Sequence, residues 1–170
     1  MKNKLLSIIF SILFLPNALA ENLLIEAKNI SLDKNTEISI FRDEVIVTTE
    51  DNNIIKSDYV EYNKKKGFLK LKNNIVVKDN QNNIIETDYA EYYVSDKLFK
   101  SKGPTKITTS EEYVIQGEDI DFDNKKRFIN SKKSSIIKDK DENKIFLENF
   151  EYQIVDNIFK SIGFVKINDN

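Results

Sequence analysis

Ile55-Lys56-Ser57-Asp58-Tyr59-Val60-Glu61-Tyr62 returns thirty residues later as Ile85-Glu86-Thr87-Asp88-Tyr89-Ala90-Glu91-Tyr92. The same step of thirty links Leu32, Tyr62, Tyr92, Phe122 and Tyr152 at the aromatic place. Two places earlier stand Ile30, Val60, Ala90, Ile120 and Phe150, and seven places earlier Ile25, Ile55, Ile85, Ile115 and Ile145. Six places after the aromatic come Ile38, Phe68, Leu98, Phe128 and Ile158. Four registers agree without an insertion, so residues 21–170 read as five units of 30.

Each unit reads as two extended segments joined by a polar turn. The segments are rich in β-branched and aromatic residues, and the turns read Asn63-Lys64-Lys65-Lys66-Gly67, Ser95-Asp96-Lys97, Asp123-Asn124-Lys125-Lys126 and Val155-Asp156-Asn157. No 3.6-residue apolar stripe runs through segments this short, which sets helical repeats aside. Ile55 and Ser57 share one parity, whereas Val60 and Tyr62 share the other, and Ile85, Thr87, Ala90 and Tyr92 repeat the break. An extra residue near Asp58, Asp88 or Glu118 reconciles the two, because a bulge turns a corner and keeps both halves facing inward. A second break falls at Asp43, Asn73, Gly103 and Gly163, residue types that tolerate positive φ, with Lys133 as the departure. Bent strands imply a curled sheet. The expectation is an all-β fold, one antiparallel sheet curled into an open jelly roll, with ten long strands, or about fifteen if each kink ends one.

The N-terminus has a different character. Lys2 and Lys4 precede an apolar run from Leu5 to Leu15, followed by Pro16-Asn17-Ala18-Leu19-Ala20. The run is short for a spanning helix, and the small residues at 18 and 20 suit a signal peptidase. Residues 1–20 are therefore expected to be a signal peptide cleaved before Glu21, with an uncleaved membrane anchor as the alternative. Residues 21–170 are then expected to be a single exported domain. Loss of two of the 26 basic residues leaves that domain with 24 against 28 acidic ones, a net charge of −4. A mildly acidic chain with scattered lysines lacks the basic stripe that nucleic acid requires.

The chain has no cysteine and no histidine. That removes disulfides, lipidation at residue 21, the usual zinc ligands, and Ser-His-Asp or Cys-His catalysis. Carboxylate pairs remain, but nothing singles one out. The chain is read as a non-enzyme with no cofactor, no metal and no catalytic residue.

The unit Ile55 to Tyr62, followed by Leu71-Lys72-Asn73-Asn74-Ile75-Val76-Val77, resembles the repeating signature of the OstA-like domain of lipopolysaccharide-transport proteins. Ile85 to Tyr92 and Phe99-Lys100-Ser101-Lys102-Gly103-Pro104 repeat it. The likeness extends from about Asn22 to Ile167. Gly117 and Leu147 depart at the small polar place, and Lys133 at the kink glycine. The resemblance implies a V-shaped jelly roll whose interior holds the acyl chains of lipopolysaccharide. It also implies pairing, edge to edge, with OstA-like domains of inner- and outer-membrane transport components, or head to tail with further copies of the chain.

On that reading the lipid groove is lined by Ile25, Ile30, Leu32, Ile55, Val60, Tyr62, Ile85, Ala90, Tyr92, Ile115, Ile120, Phe122, Ile145, Phe150 and Tyr152. Val45, Val47, Ile75, Val77, Ile107, Ile137, Val165 and Ile167 join them from the second segments. Taken singly, these side chains equally suit an ordinary packed core. Leu23, Leu24 and Ile25 at one end and Ile158, Phe159 and Ile162 at the other are the expected partner edges, since few charges or prolines block them. The alternative is that the two ends close on each other as a barrel. The function expected is lipopolysaccharide binding and transport in the periplasm. The alternatives are the N-terminal domain of an outer-membrane lipopolysaccharide translocon, or a structural β-repeat protein that binds no lipid.

Overall fold

The computed structural model describes residues 23–168; the signal peptide expected at residues 1–20 lies outside the described residues. The first six strands are β1 (Leu24–Glu26), β2 (Asn29–Asp33), β3 (Ile38–Thr48), β4 (Ile54–Asn63), β5 (Phe68–Lys78) and β6 (Ile84–Tyr93). Shorter ones follow: β7 (Leu98–Ser101), β8 (Pro104–Thr108), β9 (Val114–Glu118), β10 (Asp121–Asp123) and β11 (Phe128–Ser131). The last are β12 (Ser135–Lys138), β13 (Lys144–Leu147), β14 (Phe150–Gln153), β15 (Ile158–Lys160) and β16 (Val165–Asn168). All pair antiparallel in a single sheet, curled into a half-barrel.

The curl originates in the kinks. Register slips between Arg42 and Val45, between Lys56 and Tyr59, and between Lys72 and Ile75. Asp43, Asn73 and Gly103 take positive φ of 64°, 64° and 83°, which bends the strand at the cost of ladder bonds. Strands β3 to β6 run unbroken through their kinks. Beyond β6 the kink ends the strand each time, so the ten long strands expected are realised as four long ones and pairs of halves. At Gly163 the φ of 119° separates β15 from β16, and at Asp119 the φ of 50° separates β9 from β10.

The kinks divide the sheet into two facing walls. Wall one holds β2, the kink-to-turn halves Ile38–Arg42, Tyr59–Asn63, Phe68–Lys72 and Tyr89–Tyr93, then β7, β10, β11, β14 and β15. Wall two holds β1, the other halves of β3 to β6, then β8, β9, β12, β13 and β16.

The turns at the wall tips are built alike. In wall one, positive φ falls at Glu37, Gly67, Lys97, Arg127 and Asn157. The carbonyls of Glu37, Gly67, Lys97 and Arg127 accept from Lys64, Val94, Asn124 and Ile154 N–H of the next turn. In wall two, side chains of Thr49, Asp79, Thr109 and Asp139 accept from the N–H four residues on, closing each turn with its own side chain.

Candidate functional site

Directly paired residues share a face of a sheet, so the register assigns the inner surface. In wall one Phe41, Val60, Leu71 and Ala90 form one row, and Tyr62, Leu69, Tyr92, Phe99, Phe122, Ile129, Tyr152 and Phe159 another. In wall two the row runs Ile25, Val47, Ile55, Val77, Ile85, Ile107, Ile115, Ile137, Ile145 and Ile167. The two inner faces meet: Val60, Leu69, Leu71, Ile107 and Ile115 retain no exposed surface. The interior of this state is therefore filled by the protein's own side chains.

Of the expected groove residues, Ile55, Val60, Ile85, Ala90, Tyr92, Ile115, Ile120, Phe122, Phe150 and Tyr152 are buried there. Ile25, Tyr62 and Ile145 pack against the same cluster from its margin. Ile30 and Leu32 differ. They share the inner face through Phe41 and Ser39, yet they are 54% and 69% exposed because β2 is the last strand of its wall. Val165 and Ile167 on β16 lie uncovered in the same way at the other end.

Both ends keep free edges. Among the described residues, β1 and β2 pair with β3 alone, β15 with β14 and β16 with β13. Leu24, Ile25, Ile158 and Phe159 stand in these edge strands, and Leu23 immediately precedes one. Ile162 needs correcting: it lies outside any strand and is 82% exposed. The Asn149 side chain holds its backbone, accepting from Ile162 N–H and donating to Ile162 O, and Gly163 turns the chain before a ladder forms. The second edge strand at each end, β2 and β16, was not anticipated.

Along the kinks runs a seam of hydroxyls. Ser57 Oγ lies 2.8 Å from Lys72 O and 3.0 Å from Tyr59 O, and Thr87 Oγ1 lies 3.0 Å from Pro104 O. Ser101, Thr105, Ser131 and Ser135 continue it, with Thr105 Oγ1 2.7 Å from Ser101 Oγ and Ser131 Oγ donating to Glu118 O at 2.7 Å. The slips free these carbonyls from the ladder, and a short hydroxyl satisfies them in a dry place. The quoted motif stretches contain Ser57, Thr87 and Ser101; Thr105, Ser131 and Ser135 lie outside them.

Opposite the seam, the tips of the two walls touch. Asp51 of the β3–β4 turn accepts from Lys97 Nζ at 2.7 Å and from Asn124 Nδ2 at 3.1 Å, both in wall-one turns. Arg127 donates to Gln81 of the β5–β6 turn and to Asn124 Oδ1 at 2.9 Å. The hydrogen bond to Asp51 holds the Lys97 ammonium above the usual lysine range. Tyr113 of wall two meets the Phe159 ring edge-on at 5.7 Å, and Phe159 stacks on Tyr152 at 4.1 Å. Burial pushes the Tyr152 phenol up, and its hydroxyl donates to Asn157 at 2.7 Å. Contacts spanning 46 and 73 residues carry no local sequence signal.

The facing inner surfaces of the two walls are apolar. Grooves of about 450 and 480 Å³ lie elsewhere, lined by the row Val76, Glu86, Lys106 and Gln116 and by Gln116, Ile136, Phe146 and Phe164.

The family model described as lipopolysaccharide-assembly, LptC-related matches residues 20–134, more than half of the chain. Among solved structures, LptH of Pseudomonas aeruginosa is similar. It is described as the LptA-homologous periplasmic component of the conserved lipopolysaccharide transport device. The two are 10% identical, with 88% of this chain and 96% of that one covered and a TM-score of 0.36. The TCP10 domain of Danio rerio CPAP, solved with a peptide of Danio rerio STIL, is 9% identical, with 87% and 94% covered and a TM-score of 0.18. No curated protein matches the chain. With a family model spanning most of the walls, the chain belongs to the lipopolysaccharide-assembly, LptC-related family.

Proposed function

We propose that this chain binds lipopolysaccharide in the periplasm and hands it toward the outer membrane, with the acyl chains sheltered between the two walls. One observation carries the reading. The apolar inner face runs from uncovered Ile30 and Leu32 at one free edge to uncovered Val165 and Ile167 at the other. A closed globular core has no reason to leave both ends of its inner face bare. Residues 1–20 serve as a signal peptide in this proposal, and the unpaired edges receive OstA-like domains of membrane-bound components or another copy of the chain by strand addition.

Each acyl methylene taken out of water is worth about 0.8 kcal/mol. A chain entering a filled interior also displaces contacts among the protein's own side chains, which offsets part of that gain. The balance suits a carrier, which must release what it binds. Photo-crosslinking in cells tests the proposal. A photoreactive amino acid at Tyr92 or Ile120 is expected to capture lipopolysaccharide, and one at outward Lys56 or Glu86 to capture none. Adducts confined to the outward positions would reject it. The filled interior favours a second reading, a structural β-repeat protein without lipid, and that reading predicts no adducts from any of the four.

A further inference from the structure

A filled interior admits a chain only if the walls separate, and the fold restricts where they do so. On the seam side the backbone itself carries each strand from one wall to the other. On the tip side, among the described residues, side chains join the walls, through Asp51 and Glu50 to Lys97, Asp51 to Asn124, Arg127 to Gln81, and Tyr113 to Phe159. Lys97 and Asp51 keep about a quarter of their side-chain surface in water, at 27% and 28%. Ion pairs so placed exchange readily for hydration.

The seam is built to tolerate a change of angle. Ser57 Oγ has three carbonyl oxygens in reach, those of Tyr59, Lys72 and Asn73. Thr105 Oγ1 lies within 3.2 Å of Thr87 Oγ1, Ser101 Oγ and Gly103 O alike. A hydroxyl with several acceptors keeps a bond as the backbone around it rotates. Positive-φ residues beside it, such as Asn73 and Gly103, place the bend in the backbone itself.

We propose that the contacts between Asp51, Lys97, Asn124, Gln81 and Arg127 form a latch, opposite a hydroxyl-lined hinge, that keeps the lipid-free interior shut and parts to admit an acyl chain. This rests on the interior being the acyl site. Locking the latch blocks entry, and weakening it speeds entry.

The chain has no native cysteine, so a D51C/N124C variant is bridged by a short bifunctional thiosulfonate that reductant removes. Association of purified lipopolysaccharide is followed by crosslinking from a photoreactive residue at Ile120. The expected result is at least tenfold slower capture when bridged, restored on reduction. Equal capture by bridged and reduced protein overturns the latch and leaves the acyl site standing. A second variant, Asp51→Ala, is expected to associate several-fold faster than the native chain, and an unchanged or slower rate overturns the latch even if the cysteine variant fails to fold. Absence of capture by the native chain itself overturns the acyl site, and the latch with it.

Discussion

Gly117 stands where the earlier units carry Ser57 and Thr87, and the reason is its neighbour on β12. A Cβ at residue 117 would lie 2.5 Å from Ser135 Oγ and 3.3 Å from Ser135 Cβ. The serine has taken the space that the hydroxyl side chain fills elsewhere, and it spends its own hydroxyl on Lys133 O at 3.2 Å. Gly117→Ala is therefore expected to destabilise the fold by about 1–3 kcal/mol through overpacking, read from urea unfolding. Ser135→Ala in the same chain removes the closer atom and is expected to recover part of the loss. Strict additivity of the two changes would contradict this account. The sequence shows Gly117 as a departure from the motif, but the exchange of volume with Ser135 depends on register and has no local trace.

At the scale of elements, the wall-two turns make the sharpest case. Buried Asp79 accepts from Gln81 and Asn83 N–H, both at 2.8 Å, and from Asn83 Nδ2 at 2.7 Å, while Asn83 Oδ1 accepts from Ser110 N–H of the next turn. Asp79→Ala is expected to cost about 1–3 kcal/mol, since it leaves buried donors without partners; an unfolding midpoint equal to that of the native chain would contradict it. Asp139 makes the same three contacts in a more open turn, and hydrogen bonds from Asn143 lead in holding its carboxyl below the usual range. A folded value below the unfolded one means that the stability it contributes is present above about pH 4 and is lost as pH falls through the folded value. Asp139→Asn is expected to flatten that part of the pH dependence of unfolding. The aspartate or threonine that closes each wall-two turn stands outside the motif; kinks, by contrast, are legible because they need residue types that take positive φ, such as Asp43, Asn73, Gly103 or Gly163. Strand ends are less so. Ile162 reads as an edge residue by its apolar character, and only the reach of Asn149 across thirteen residues removes it from the ladder.

At the scale of the molecule, parity within the units was enough to curl the sheet, but the inner rows also take in Phe41, Leu69, Leu71, Phe99 and Ile129, which the groove reading did not include. How far apart the walls stand was hidden, because that distance is set at the tips by pairs such as Asp51 with Asn124, brought together only after the whole sheet has curled. Lipid entry turns on that distance. Spin labels at residues 52 and 96, exposed positions beside Asp51 and Lys97, report it directly by electron–electron double resonance. Addition of lipopolysaccharide is expected to shift the label distance to longer values as acyl chains take their place between the walls. A distance distribution that stays unchanged while lipopolysaccharide is bound would contradict the claim that the lipid lodges inside.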